Sequence, residues 1–176
     1  VNGGGLTAFQ IFPDDELEII NNEGNQICEI ICFNKDGKSD AGILNLKTNN
    51  DKNFIRSILN GKDETILATN HQLKKRNLNI SDSKSSIIFD LDTKAGESFK
   101  LKSKDKCYAI FAAPSEDMDV TNQNPPSDLT IFIKRSQIVN DKELNVIPDP
   151  IFEPLYEENI NKETSISYQV KEGDYI

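Results

Sequence analysis

Gln26-Ile27-Cys28-Glu29-Ile30-Ile31-Cys32-Phe33 reads as a β-strand with two apolar faces. At period two, Cys28, Ile30 and Cys32 share one side, and Ile27, Glu29, Ile31 and Phe33 share the other. Such a strand needs cover on both sides, so the chain has to build at least one layer on each face of it. Asn21-Asn22-Glu23-Gly24-Asn25 precedes it and is rich in residues that tolerate positive φ. The pattern predicts a hairpin over 16–33, with Leu17 and Ile19 on the first strand. Asn34-Lys35-Asp36-Gly37 ends the run.

From residue 85 the β signal recurs. Ser86-Ile87-Ile88-Phe89-Asp90-Leu91 is one strand, and Cys107-Tyr108-Ala109-Ile110-Phe111-Ala112 is a second that Pro114 ends. Ser98-Phe99-Lys100-Leu101-Lys102 alternates, with Phe99 and Leu101 expected inward. Leu129-Thr130-Ile131-Phe132-Ile133 follows the Pro125-Pro126 turn. Short strands between turn signals predict a mainly β fold, a β-sandwich or barrel, with one or two short helices. Asn53 to Leu59 is one such helix, with Phe54, Ile58 and Leu59 on one side. Thr65-Ile66-Leu67-Ala68 reads as a short strand, and the polar stretch Gln72 to Leu78 as loop.

Four segments follow. Residues 1–8, with Gly3-Gly4-Gly5, are a flexible entry, and 9–137 form the β domain. Residues 138–167, punctuated by Pro148, Pro150 and Pro154, are an extended linker. Residues 168–176 echo the beginning. Phe9-Gln10-Ile11-Phe12-Pro13-Asp14-Asp15-Glu16-Leu17 aligns without gaps to Tyr168-Gln169-Val170-Lys171-Glu172-Gly173-Asp174-Tyr175-Ile176. Both read aromatic, Gln, β-branched, two variable residues, a turn residue, Asp, a variable residue and an aliphatic. A lone strand cannot satisfy its backbone groups, so the echo predicts the first strand of a truncated second repeat and a longer parent polypeptide.

Charge and cysteine usage narrow the function classes. The net charge is −9 over 176 residues, and Lys74-Lys75-Arg76 is the one dense basic run, which argues against nucleic-acid binding. No stretch approaches the roughly 18 apolar residues of a membrane span, and neither a charged n-region nor an apolar h-region opens the sequence. Three cysteines are an odd set, unsuited to a disulfide framework. The reading is a cytoplasmic protein with free thiols.

No constellation in the residues amounts to an active site. Cys28, Cys32 and Cys107 with His71, the one histidine, make a candidate zinc set. Its spacing is not that of paired ligands on turns, and buried cysteine is the commoner arrangement. His71 as a general base lacks a nucleophile and a Gly-x-Ser-x-Gly elbow. The clusters Asp14-Asp15-Glu16 and Glu116-Asp117-Met118-Asp119 do not match a calcium loop. Gly3-Gly4-Gly5 lacks the Lys-Ser/Thr of a phosphate loop.

Two stretches nonetheless have a family look. One is Ala112-Ala113-Pro114-Ser115-Glu116-Asp117-Met118-Asp119-Val120, continued by Gln123 to Leu129 and by Phe132-Ile133-Lys134-Arg135. The other is Pro148-Asp149-Pro150-Ile151-Phe152-Glu153-Pro154-Leu155, continued by Tyr168 to Ile176. Together they resemble the N-terminal region of glycine cleavage T-protein-like aminomethyltransferases that carry a urea-carboxylase-associated-type repeat. Gly24-Asn25-Gln26 and the strand after it resemble the hairpin of the same repeat in its first copy. The resemblance covers most of 9–34 and 105–176 and leaves 38–100 unmatched. It implies a tandem β arrangement with a tetrahydrofolate-dependent transferase far downstream.

Relatives, including carboxyguanidine-processing enzymes, hold metal through Cys and His. The family-typical Thr-Arg-Thr and Arg-His-Asp stretches do not occur here, since His71 is followed by Gln72. No catalytic, cofactor-binding or metal residue is therefore carried over. The first copy is expected to be a degenerate, non-catalytic scaffold whose partners are the downstream repeat and transferase domain of the same polypeptide, with no cofactor in this segment. The alternative is a stand-alone metal-dependent small-molecule enzyme of the carboxyguanidine or urea type, or a metabolite-binding β module.

Overall fold

The structure, a computed structural model, describes residues 1–48, 53–62, 64–116 and 124–137. The linker expected over 138–167 and the echo at 168–176 lie outside the described residues. Within them the chain is mostly β, with two antiparallel sheets and two short helices. The strands are β1 (Leu6–Ile11), β2 (Glu16–Asn21), β3 (Cys28–Phe33), β4 (Ser86–Phe89), β5 (Glu97–Lys102), β6 (Cys107–Ala112) and β7 (Leu129–Lys134). The helices are α1 (Phe54–Leu59) and α2 (Glu64–Lys75), with a 3-10 turn at Ala41–Leu44. One sheet has the order β1-β6-β3-β4 and the other β5-β2-β7.

The doubly apolar strand is covered on both sides, as its pattern requires. Every residue of β3 is buried. On one face Cys28, Ile30 and Cys32 pack with Phe9, Cys107 and Phe111 against Leu17, Ile19, Leu101 and Leu129 of the second sheet. The rings of Phe9 and Phe111 stack there at 5.0 Å between centroids. On the other face Ile31, Phe33, Ala8 and Ile110 pack against Ile55 and Leu59 of α1 and Leu73 of α2. The result is three layers, sheet on sheet with helices outside the larger sheet.

The expected hairpin over 16–33 does not form. β2 lies in the three-strand sheet and β3 in the four-strand sheet. The turn does reverse the chain, with Gly24 at φ 79° and Asn25 at 54°, but it carries it across the sandwich. Its backbone docks on the loop before β5, where the Asn25 N–H donates to the Thr93 carbonyl at 2.8 Å. A Cβ on Gly24 would stand 2.6 Å from the Ala95 nitrogen, so the contact itself demands glycine.

Helix α1 forms where expected, with Ile55 and Leu59 buried one turn apart. The strand expected at Thr65–Ala68 is instead the first half of α2, and the loop expected at Gln72–Leu78 is helical through Lys75. The buried side of α2 includes Thr69, Gln72 and Leu73. Their i, i+3, i+4 spacing is helical, but two of the three are polar, which hides the period from a hydropathy reading. Phe99, expected inward with Leu101, is instead 37% exposed, while Leu101 on the same edge strand is 6% exposed. Residues 1–8, expected to be a flexible entry, are bonded into the domain. β1 starts at Leu6 and pairs with β6, and the Val1 ammonium donates to the Leu129 carbonyl at 2.7 Å.

Candidate functional site

All three thiols lie in the core, but only Cys32 and Cys107 are neighbours, and Cys28 stands four residues from Cys32 along β3. Cys28, Cys32 and Cys107 are 0%, 2% and 3% exposed. Cys32 stands opposite Ala109 on β6, so Cys107 is its diagonal neighbour on the same face. The hydrogen bond to Cys107, and then burial, push the Cys32 thiol far above its usual range. Burial first, and then the neighbouring Glu29 charge, do the same for Cys28. Thiolate is the species that attacks or ligates, so these two sulfurs are held in the unreactive form.

His71 is not brought to them. It sits exposed on α2, on the far side of the four-strand sheet, and lines a cleft of about 610 Å³ with Arg56, Asn70 and Lys74. The donors proposed for zinc do not converge, and among the described residues no group of three or more His, Cys, Asp or Glu could hold a metal. The set therefore does not fit a metal.

The carboxylates at 14–16 part company. Asp14 pairs with Lys102 at 2.9 Å and Glu16 with Lys134 at 3.0 Å, both on the surface. Asp15 between them is fully buried. It accepts the Phe12 N–H at 3.0 Å, the Ser136 N–H at 2.8 Å and the Arg135 Nη1–H at 2.6 Å. Asp14 reaches φ 64° in making this turn. Of the second acidic cluster, Asp117, Met118 and Asp119 lie outside the described residues. In the glycine triplet the Gly3 N–H donates to Asp128 Oδ1 at 2.9 Å, so that donor is already taken by a carboxylate.

Two buried polar residues escaped the sequence reading. Glu29 is fully buried on the helix-facing side of β3, and its Oε2 accepts the Ile55 N–H at 2.6 Å, capping α1. Gln26 is also buried and ties three segments together. Its Nε2 donates to Ile27 and Pro114, and its Oε1 accepts the Ser127 N–H at 2.7 Å. A charged residue inside an apolar strand was the available signal for Glu29, since such a group is rarely buried without partners.

The outer face of the three-strand sheet is the most surface-like candidate for binding. Glu16 and Glu18 on β2, Lys100 and Lys102 on β5, and Lys134 on β7 surround Phe132, which is 59% exposed. Pairing of these charges leaves an aromatic side chain framed by balanced ions. That is the chemistry of a contact surface rather than of bond making.

A three-layer, thiol-burying β-sandwich with a charged outer sheet is the class that fold and site define. The chain is 30% identical over 176 residues to trimethylamine-oxide aldolase from Ruegeria pomeroyi, an alignment covering 100% of this chain and 22% of that protein. The chain thus spans less than a quarter of that relative's length. No family model matches the chain, and no solved structure matches it. Among the described residues no helix is long and apolar enough to cross a membrane.

Proposed function

We propose that this chain is a non-catalytic N-terminal scaffold module of a larger, cytoplasmic, aminomethyltransferase-like protein. The observation that carries the reading is coverage, since the chain aligns along its whole length with only 22% of trimethylamine-oxide aldolase. On this reading the parent polypeptide acts on trimethylamine oxide or a related amine oxide, and tetrahydrofolate serves downstream of the module. The partners are the following repeat, of urea-carboxylase-associated type, and the transferase domain.

The repeat echo supports the reading with a physical correspondence. Asp14 holds a positive φ, and the position aligned to it in the echo is Gly173, the residue that adopts such a conformation most easily. Asp15, the buried turn carboxylate, aligns to Asp174. The burial of the thiols and the absence of convergence between them and His71 fit a segment whose work is contact. The outer sheet face around Phe132 is its docking surface for the rest of the polypeptide.

The test is to incubate the purified chain with trimethylamine oxide, with and without tetrahydrofolate. No consumption of the amine oxide is expected. Turnover by the isolated chain, abolished by heat and proportional to its concentration, overturns the reading.

A further inference from the structure

One buried carboxylate joins the helical layer to the four-strand sheet. Helix α1 has six residues, Phe54–Leu59, too few to hold a helix in water alone. Its N-cap residue, Asn53, makes no side-chain capping bond, and its first turn carries no acidic residue. The cap comes from the strand beneath it. Glu29 of β3 accepts the Ile55 N–H at 2.6 Å through Oε2 and also bonds the Phe54 N–H. The two helices are tied to each other in turn, since Asn70 Nδ2 donates to the Leu59 carbonyl at 2.6 Å. A polar grip of the helical layer on the sheet thus passes through Glu29.

That carboxyl is badly placed for a charge. Glu29 is fully buried, and among the described residues its Oε1 has no hydrogen-bond partner. A neutral oxygen left so is a modest cost, whereas a charge there lacks the solvation that water would supply. Arg56 on α1 is the charged group that acts on it. Its guanidinium is already committed, with Nε donating to the Ile80 carbonyl at 3.1 Å and Nη2 to that of Ser83. The other described elements packed around Glu29 present uncharged residues. Ala112 of β6 and Ile87 of β4 stand opposite it, Ser85 gives it a hydroxyl, and the buried side of α2 includes Thr69, Gln72 and Leu73. On its own strand, Cys28 belongs to the intersheet core on the other face.

We propose that Glu29 is a pH-sensitive latch on the helical layer. With its proton, the carboxyl holds α1 against the four-strand sheet. Once the proton has passed to solvent, the carboxylate gains hydration by letting α1 and α2 lift off, while the core between the two sheets stays closed. Lifting the layer uncovers the face on which Ile31, Phe33 and Ile110 are buried. The direction follows from the balance at the group, where burial outweighs the hydrogen bonds and the Arg56 charge and raises the carboxyl above 4.5. The hold is complete below that value and is lost as pH rises through the folded one. This assignment stands whether or not the module is catalytic.

The test is amide hydrogen exchange of the full chain from about pH 5 to 8, with each peptide's rate corrected for the chemical pH dependence of free amides. The opening constants of α1 and α2 should rise roughly tenfold or more across this range, the factor that one pH unit of linkage supplies. That of β6, which lies between β1 and β3, should stay level. Level helical peptides, or helical and β6 peptides that rise together, overturn the proposal. Histidine is the other kind of side chain that changes charge near neutrality, and the chain's one histidine, His71, sits exposed on α2. Glu29→Gln should flatten the helical profile, and His71→Gln should leave it as steep as the parent's. A profile that Glu29→Gln leaves unchanged, or that His71→Gln flattens, overturns the proposal. If Glu29→Gln does not fold, the parent and His71→Gln profiles decide between the same outcomes.

Discussion

Asp15 Oδ2 accepts the Arg135 Nη1–H at 2.6 Å, and this pair joins the β1–β2 crossing to the end of β7. Asp15 is fully buried, and the Arg135 side chain is 19% exposed. Burial would raise the Asp15 carboxyl. The hydrogen bonds from Phe12, Ser136 and Arg135, with the Arg135 charge, more than offset it and hold the group below its usual value of 3.8. A depressed carboxylate contributes stability above its unfolded pKa, and that stability is lost as pH falls through the folded one. Asp15→Asn should therefore cost about 3 kcal/mol at neutral pH, the low end for breaking a buried pair. Its stability should also fall less steeply than the parent's below about pH 4. Urea melts from pH 2 to 7 check both outcomes, and parallel curves for the two proteins refute the linkage.

Glu29 titrates in the opposite sense. Burial pushes its carboxyl up, against the Ser85 and Ile55 hydrogen bonds and the Arg56 charge. A raised carboxyl favours the fold below its unfolded pKa, here 4.5, and its contribution is lost as pH rises through the folded value. Glu29→Gln keeps an acceptor for the Ile55 N–H and removes the charge. The variant should gain stability relative to the parent as pH rises from about 4.5 toward neutrality. Thermal melts at pH 4.5 and 7.5 test this, and a variant that loses ground at the higher pH contradicts it.

What could be read in the residues depended on period and on distance along the chain. β3, β4, β6 and β7 were legible because each is a short run rich in apolar, β-branched and aromatic residues between turn signals. The 21–25 turn was legible as a reversal, but turn chemistry does not say whether the returning strand joins the same sheet. Here it crosses, and the supposed hairpin partner of β2 is two different strands, β5 and β7. α2 was hidden by Thr69 and Gln72, polar side chains that it buries. The thiols were readable as core because β3 is apolar on both sides.

The thiols give a direct readout of native packing. Cys28, Cys32 and Cys107 are all buried, and a disulfide reagent needs thiolate and access. None of the three should react in the folded chain within minutes, and all three should titrate in concentrated guanidinium. Rapid modification of Cys28 in the native protein would contradict the sandwich as described. Modification of one sulfur at the rate of global unfolding would agree with it.

β7 carries a pair of side chains that separates core from contact surface. Leu129 is 1% exposed and belongs to the intersheet core, whereas Phe132, three residues on and therefore on the opposite face, is 59% exposed. Leu129→Ala should cost about 2–5 kcal/mol. Phe132→Asp should cost only about 1 kcal/mol in this chain, because an exposed ring loses little packing and the penalty comes from the new carboxylate facing Glu18 across the strands. The same Phe132→Asp change placed in a longer polypeptide that carries this module should lower its melting temperature by several degrees, since there the outer sheet face would lose its apolar centre. If the longer polypeptide melts at the same temperature with aspartate at this position, the outer sheet is not where the module docks. A loss of stability in the isolated chain as large as that of Leu129→Ala would instead mean that the ring serves the domain's own fold.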